Sequence, residues 1–367
     1  MNFYSQELET ITKRNRFRTR RLFGSNLIDL ASNDYLSISE NPIPFERTVA
    51  KLREIGQFSP KASMLVNGYH EIHYNFERLL SEIHQFESAI VVGSGFLANF
   101  GLIEALIRSG DELFLDSEYH ASGMVATRLL KKNQVHIFPH NSPEELEKLL
   151  RNSKAKRRIV AIEGIYSMSG DIANRDIFDV VDRYGAILIV DEAHSFGVVG
   201  DNLLGVFDYF NIKPQPNHIK MGTLGKAVGS YGAYILASNE IVSFLENRAK
   251  PVIYSTALSL FDTLLAHFSI SYILENRESF RKKIDERKEL FSRYCNLQKE
   301  GLIYPIEIGD NRRVIEIRDN LEKEEFIVGA IRPPTVEKAL LRVIPRVGVS
   351  LEDLEKFLSL LLRFRNS

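Results

Sequence analysis

Ile189-Val190-Asp191-Glu192-Ala193-His194 and, further on, Lys220-Met221-Gly222-Thr223-Leu224-Gly225-Lys226-Ala227-Val228-Gly229 decide how this chain is read. The first is an apolar run that ends in an acid and an imidazole; the second sets a lysine among small residues. A lysine so flanked can bring its amine to an aldehyde, and an aspartate at a strand end can keep a pyridine nitrogen protonated. An isolated lysine between glycines is most often a surface residue, so the weight falls on what surrounds these two stretches.

Outward from them, residues 46–256 alternate helical segments with short apolar runs. The runs are Ala89 to Val92, Glu112 to Leu115, Val135 to Phe138, Ile159 to Ile162, Ala186 to Val190, His218 to Met221 and Ala233 to Ala237. Strand and helix in alternation predict an α/β fold, a mostly parallel central sheet with helices on both faces. Several runs are followed at once by Gly, Ser, Asp or His, which gathers polar groups at one edge of the sheet, where open α/β folds bind ligands. Residues 1–45 read as an N-terminal arm: a basic helical stretch to about Arg21, a short strand from Asn26 to Ser32 and a turn-rich segment to Pro44. Residues 257–367 read as a smaller α+β domain, with helices over Phe261 to Glu275 and Glu278 to Tyr294, strands at Tyr304 to Ile308, Arg313 to Ile317 and Leu341 to Ile344, and a last helix from Leu351.

Composition sets the outer bounds. With 367 residues, 44% of them hydrophobic and 26% charged, the chain has an ordinary globular balance and enough apolar side chains for a large core. A formal net charge of −1 argues against general affinity for nucleic acid or an anionic membrane, although Lys13, Arg14, Arg16, Arg18, Arg20 and Arg21 form a local basic cluster. Cys295 is the only cysteine, which rules out an intrachain disulfide and suits a reducing cytoplasm. The first residues lack a secretory pattern, and no apolar run approaches the roughly 20 residues of a membrane span. A cytoplasmic protein is expected.

Two motif matches mislead. Asp191-Glu192-Ala193-His194 spells the acidic box of one helicase group and Gly225-Lys226 the end of a nucleotide-binding phosphate loop, but that loop needs glycine where Lys220 stands and Ser or Thr where Ala227 stands. His70, His73, Glu77 and His84 share a helical spacing, yet the arrangement is not His-Glu-x-x-His, and no metal is expected. Pyridoxal phosphate makes separate demands that this sequence meets at successive strand ends. Gly93-Ser94-Gly95-Phe96-Leu97-Ala98-Asn99 offers backbone N–H groups at a helix start for the phosphate. His120 is a flat partner for the ring, Asp191 a carboxylate for the pyridine nitrogen, His194 a donor to the ring phenolate, and Thr223 a hydroxyl for the phosphate. Burial near another cation would lower the pKa of Lys226 and free its amine.

With these residues in place the chain resembles the α-oxoamine synthases, fold type I pyridoxal phosphate enzymes that condense a small amino acid with an acyl thioester. The resemblance covers nearly the whole chain. It runs through Ala31-Ser32-Asn33-Asp34-Tyr35-Leu36, Gly93 to Asn99, Asp116 to His120, Glu163-Gly164-Ile165-Tyr166-Ser167-Met168-Ser169-Gly170-Asp171, Asp191 to Gly197, the Lys226 run and Tyr254-Ser255-Thr256. Ala330-Ile331-Arg332-Pro333-Pro334-Thr335-Val336 is similar to the C-terminal signature of the member that joins L-alanine to a pimeloyl thioester, on CoA or a carrier protein, in biotin biosynthesis. The resemblance implies that Lys226 links to the cofactor, Asp191, His194 and His120 hold its ring, and Gly95, Phe96, Ser167 and Thr223 help bind it. It implies that Glu163 lines the site, that Arg332 and Thr335 approach the amino acid's carboxylate and His120 also meets the substrate, and that Arg18 binds the acyl substrate. It further implies a homodimer with the site at its interface, Ser255 and Thr256 reaching the neighbouring subunit's phosphate. In the implied reaction alanine displaces Lys226, whose released amine takes the Cα proton before the thioester is attacked and carbon dioxide leaves.

The chain departs from that pattern after Thr335, where an arginine- and serine-rich strand is replaced by Leu341-Arg342-Val343-Ile344-Pro345-Arg346-Val347-Gly348. That leaves open a glycine-using member that makes aminoketobutyrate or one that makes a signalling aminoketone. A catalytically silent scaffold would have lost its lysine, and Lys226 is present.

Overall fold

The computed structural model describes residues 3–14 and 16–366. After a two-residue strand β1 (Ile28–Asp29), seven strands form the central sheet: β2 (Ser88–Val92), β3 (Glu112–Asp116), β4 (Val135–Phe138), β5 (Arg158–Glu163), β6 (Ile187–Asp191), β7 (His218–Thr223) and β8 (Ala233–Ala237). Their order across the sheet is β2-β8-β7-β6-β5-β3-β4. All neighbours from β7 to β4 run parallel, and β8 is antiparallel to both β7 and β2.

Each central strand is buried on both faces, as expected of a parallel sheet covered by helices. Val160, Ile162, Leu188 and Val190 enter the core on one face, while Ile159, Ala161, Ile189 and Ile219 enter the core on the other. The period of two along each strand therefore divides the chain's apolar residues between two layers. Because β8 reverses direction between β7 and β2, the carboxyl ends of β2, β3, β5, β6 and β7 all reach the same edge. The register fixes the neighbours there: Glu163 lies opposite Asp191, Asp191 opposite Met221, and Ala233 opposite both Thr223 and Val92.

A third core holds the C-terminal elements, built on Tyr304, Val314, Leu341 and Phe357. Here β9 (Tyr304–Gly309), β11 (Gly329–Ile331) and β12 (Ala339–Val343) form an antiparallel sheet in the order β11-β12-β9, and β10 (Phe326–Ile327) pairs with β1. The N-terminal segment is thus stitched into the C-terminal unit. Two arginines fasten the junction: Arg287 donates to the carbonyls of Arg346, Val347 and Val349, and Arg346 in turn donates to the Asp29 carbonyl and to Glu40.

Two expectations are corrected. Residues 313–317 are not a strand but part of the helix Asn311–Lys323, because Asp310 caps its start by accepting from the N–H groups of Arg312 and Arg313, and Val314, Ile317 and Leu321 bury one helical stripe. The basic arm is helical only over Ser5–Lys13, and residues 16–24 have no regular structure. A continued helix would set Arg14 beside Arg18 and Arg16 beside Arg20, like charges one turn apart, which destabilises a helix. Among the described residues no helix is long and apolar enough to cross a membrane.

Leu188, fully buried in β6, tests the frame that carries the site. Leu188→Ala should cost about 2–5 kcal/mol of stability, read as a lower midpoint in urea unfolding; an unshifted midpoint would mean that β6 is not part of the cooperative core.

Candidate active site

Five strand ends deliver the polar residues to one edge, and hydrogen bonds tie them into two connected groups. The first centres on Asp191, the last residue of β6 and 4% exposed. Its Oδ1 accepts from the Ala193 N–H at 3.0 Å and its Oδ2 from Asn99 Nδ2 at 2.7 Å. Asn99 is fully used: its second amide hydrogen goes to Ser122 Oγ at 3.0 Å and its oxygen accepts from the Tyr119 hydroxyl at 2.6 Å. Ser122 Oγ, already an acceptor, donates to His120 Nδ1 at 2.7 Å, which leaves the His120 proton on Nε2. Burial holds the His120 pKa below its ordinary value against the opposing charge of Asp191, so the ring is neutral at neutral pH.

The second group surrounds Lys226. Its amine lies 2.7 Å from His194 Nε2, and His194 Nδ1 lies 2.5 Å from the hydroxyl of the fully buried Tyr35. With the amine donating to Nε2, His194 carries its proton on Nδ1 and gives it to Tyr35, whose own hydrogen reaches Asn33 Oδ1 at 3.3 Å. Asn33 Oδ1 also accepts from Arg342 Nη1 at 2.9 Å, and Arg342 Nε donates to the Ser167 carbonyl at 2.7 Å. Burial, together with the cations of Lys226 and Arg342, keeps His194 well below its usual pKa and therefore neutral. Burial likewise pulls Lys226 down to about 8, against the charges of Asp191 and Glu163 and with the help of Arg342. Glu163 moves the other way, well above the usual carboxylate range, because it is buried beside Asp191.

Two polar atoms in this pocket are buried without a hydrogen-bond partner: Glu163 Oε1 and Arg342 Nη2. Unpaired groups of this kind are costly in a finished protein unless something else meets them. At the same sheet edge, helix Gly95–Leu106, which follows β2, begins with Ser94 as its cap, and the N–H groups of Gly95 and Phe96 are left at its open end. A side chain at position 95 would sit 3.6 Å from Thr223 Cβ, so glycine leaves a niche bordered by the Thr223 hydroxyl.

The structure therefore joins Lys226 with His194, links His120 to Asp191 through Ser122 and Asn99, and sets Thr223 against Gly95. Phe96 is half exposed at the rim, and Ser167 presents its carbonyl to Arg342. Arg332 and Thr335 share one turn, in which the Thr335 N–H donates to the Arg332 carbonyl. Arg18 is exposed and forms no hydrogen bond or ion pair among the described residues; Ser255 and Thr256 follow the exposed Tyr254. Elsewhere, His70 caps its helix, His73 bonds the Leu258 carbonyl, and Glu77 holds the Val91 N–H and the Tyr69 hydroxyl. Asn33, Tyr35 and Asn99 lie within the family motifs, which by sequence alone attach no role to them, and Arg342 lies in the stretch that departs from the family pattern.

The model of the class I and II aminotransferases matches residues 25–361. The chain belongs to that family. Among curated members, the 8-amino-7-oxononanoate synthase of Helicobacter pylori strain J99 is 42% identical over 98% of this chain and 97% of its own length, and a putative synthase of Aquifex aeolicus is 37% identical over 97% and 96%. A crystal structure of the Francisella tularensis 8-amino-7-oxononanoate synthase superposes with a TM-score of 0.78 at 26% identity, covering 93% of this chain and 98% of that one. Serine palmitoyltransferase of Sphingomonas wittichii superposes at 0.90 with 24% identity, covering 99% and 98%, which establishes the shared fold. The cofactor of this family member is pyridoxal phosphate, and the pocket fits it: a lysine amine with a lowered pKa, a buried carboxylate with lone pairs to spare, and an open helix start beside a hydroxyl.

Lys226 supplies a pH test. A pKa lowered to about 8 makes the neutral, nucleophilic amine more abundant at neutral pH than for an ordinary lysine, and its fraction should rise about tenfold between pH 7 and 9, then level off. Competitive acetylation of the cofactor-free protein, read by mass spectrometry, should show Lys226 saturating there while surface lysines keep climbing; parallel curves would refute the assigned environment.

Proposed function

We propose that this enzyme joins L-alanine to a pimeloyl thioester, releasing carbon dioxide and free CoA or carrier and forming 8-amino-7-oxononanoate. Support comes from near full-length likeness to 8-amino-7-oxononanoate synthases and, in the site, from one observation above the others. A buried lysine amine is bonded to a neutral imidazole, and the same hydrogen-bonded chain ends in a buried guanidinium with one nitrogen unpaired.

Bound pyridoxal phosphate supplies an electron sink for a carbanion at the amino acid's Cα. With pyridoxal phosphate bound, Lys226 would hold it between turnovers, Asp191 would keep its pyridine nitrogen protonated, and His120 and His194 would hold its ring. Gly95, Phe96, Ser167 and Thr223 hold the cofactor's remaining groups. Arg342 Nη2 receives the amino acid's carboxylate, since that nitrogen is buried, charged and otherwise unpaired. Arg332 and Thr335 border the same substrate from their turn, and Arg18 meets the acyl chain. The Lys226 amine takes the Cα proton; a carbon–carbon bond then forms to the acyl carbon as the thiolate leaves. Loss of the carboxylate as carbon dioxide follows, and Lys226 returns its proton to Cα. Glu163, whose carboxyl is pushed well above the usual carboxylate range by burial beside Asp191, lines the site.

The open rim suits a second copy of the chain. Phe96, Tyr231 and Tyr254 are large, apolar and 49%, 59% and 79% exposed around the site. A homodimer would cover them and bring Ser255 and Thr256 to the partner's phosphate.

Lys226→Ala should abolish turnover, and wild-type protein should release CoA from pimeloyl-CoA with L-alanine faster than from acetyl-CoA with glycine; the reverse preference would reject the substrate assignment. Arg342→Ala should raise the KM for alanine about 10- to 100-fold, the loss expected for one charged hydrogen-bonded contact. An unchanged KM would place the carboxylate elsewhere.

A further inference from the structure

His140 lies outside the site, just past the edge strand β4, yet it stands between the two loops that deliver site residues. One loop continues from β3 through Asp116 to His120. The other leaves β5 at Glu163, passes Tyr166 and Ser167, and returns at Asp171, closed on itself by the Tyr166 N–H to the Asp171 carbonyl. His140 Nδ1 donates to Asp116 Oδ1 at 3.1 Å; its Nε2 faces Asp171 Oδ2 at 3.5 Å, an ion-pair rather than a hydrogen-bond distance. Its ring meets Tyr166 edge to face, centroids 4.4 Å apart, and Tyr166 donates to the other Asp116 oxygen at 2.8 Å. The fully buried Asp116 also accepts from the N–H groups of Glu118 and Asn141.

We infer that His140 is a positioning residue: a cation pinned between Asp116 and Asp171 that sets the spacing of the His120 and Ser167 loops, and so the fit of the cofactor between them. Three observations carry it. The imidazole touches both loops and no element of the site itself. Its acceptor Asp116 lies four residues before His120, and the Tyr166 packed edge to face against it is adjacent to Ser167. The far side of the second loop is fastened by Lys299 on Asp171 and Arg342 on the Ser167 carbonyl, so His140, alongside the Tyr166–Asp116 hydrogen bond, links it to the first loop. The charge is constant over the working range: burial opposes protonation, but the hydrogen bond to Asp116 and the nearby carboxylates of Asp171 and Glu118, the latter 3.9 Å from Nε2, outweigh it and lift the pKa to about 10.

The inference rests on the proposed function only for the identity of the cofactor, and one titration separates the two. Cofactor-free wild-type protein is titrated with pyridoxal phosphate by tryptophan-independent absorbance, alongside His140→Gln, His140→Lys, Asp171→Asn and the Gln/Asn double variant. If wild type does not bind, the proposed cofactor site fails. If it binds, His140→Gln should weaken binding about tenfold, while His140→Lys, which keeps the cation, should recover most of that loss. Asp171→Asn, on the more exposed side of the contact, should give a smaller loss that does not add to the first in the double variant. The inference is overturned by wild-type affinity in His140→Gln, by His140→Lys binding no better than His140→Gln, or by additive losses. Should His140→Gln fail to fold, Asp171→Asn with wild-type affinity would overturn it alone.

Discussion

The site depends on keeping a carboxylate buried at the end of β6. Asp191 is almost wholly removed from water, and such burial is costly unless every lone pair and neighbour is arranged for it. Asn99 does most of that arranging from a helix that follows a different strand, and it can do so only because Tyr119 and Ser122 hold its amide in one orientation. The acid is therefore paired with neutral dipoles and not with a cation, which leaves its charge available to whatever binds above it. Lys226, His120 and Glu163 all feel that charge, each in the direction set by its own chemistry.

A second buried charge lies directly behind the first. Glu192 and Lys220 are both fully buried, 3.3 Å apart, and Glu192 also accepts from Ser195 and from the Val206 N–H while Lys220 donates to the Leu204 carbonyl. Removing either partner would strand a charge in the core, which is far more destabilising than losing the pair together. The Asp191-Glu192-Ala193-His194 stretch thus alternates roles: Asp191 and His194 face the pocket, and Glu192 is bound to the scaffold.

Much of this was legible from residues. The central strands were visible because both faces are buried, so that in β6 aliphatic side chains run without interruption and end abruptly in Asp191, while β7 was marked by its apolar Ile219 and Met221 and the glycine and threonine that close it. Lys226, Asp191, His194 and His120 announced themselves by standing at such ends. Residues 313–317 were misread because Val314, Ile315 and Ile317 are strand-forming types, while the deciding signal was the capping Asp310 just before them. Arg342 was hidden for another reason: nothing local marks a strand arginine as buried, and its partners Asn33 and Ser167 lie far away in sequence. His140 carried no signal at all, since its importance comes from two loops that only the sheet order brings beside it.

The single antiparallel strand has a consequence for how the molecule comes into being. β2 has only β8 as a sheet neighbour, and β8 emerges from the ribosome after every other strand of the central sheet. Until then β2 and the glycine-led helix behind it have no ladder to join, and β7 presents an unpaired edge to other chains. During synthesis the pairing of β2 with β8 therefore cannot form until β8 has been made, and it is a long-range contact of the kind that slows folding. A nascent chain stalled before Ala233 would hold the acid of the site but not its anion niche, and would be prone to associate through that open edge.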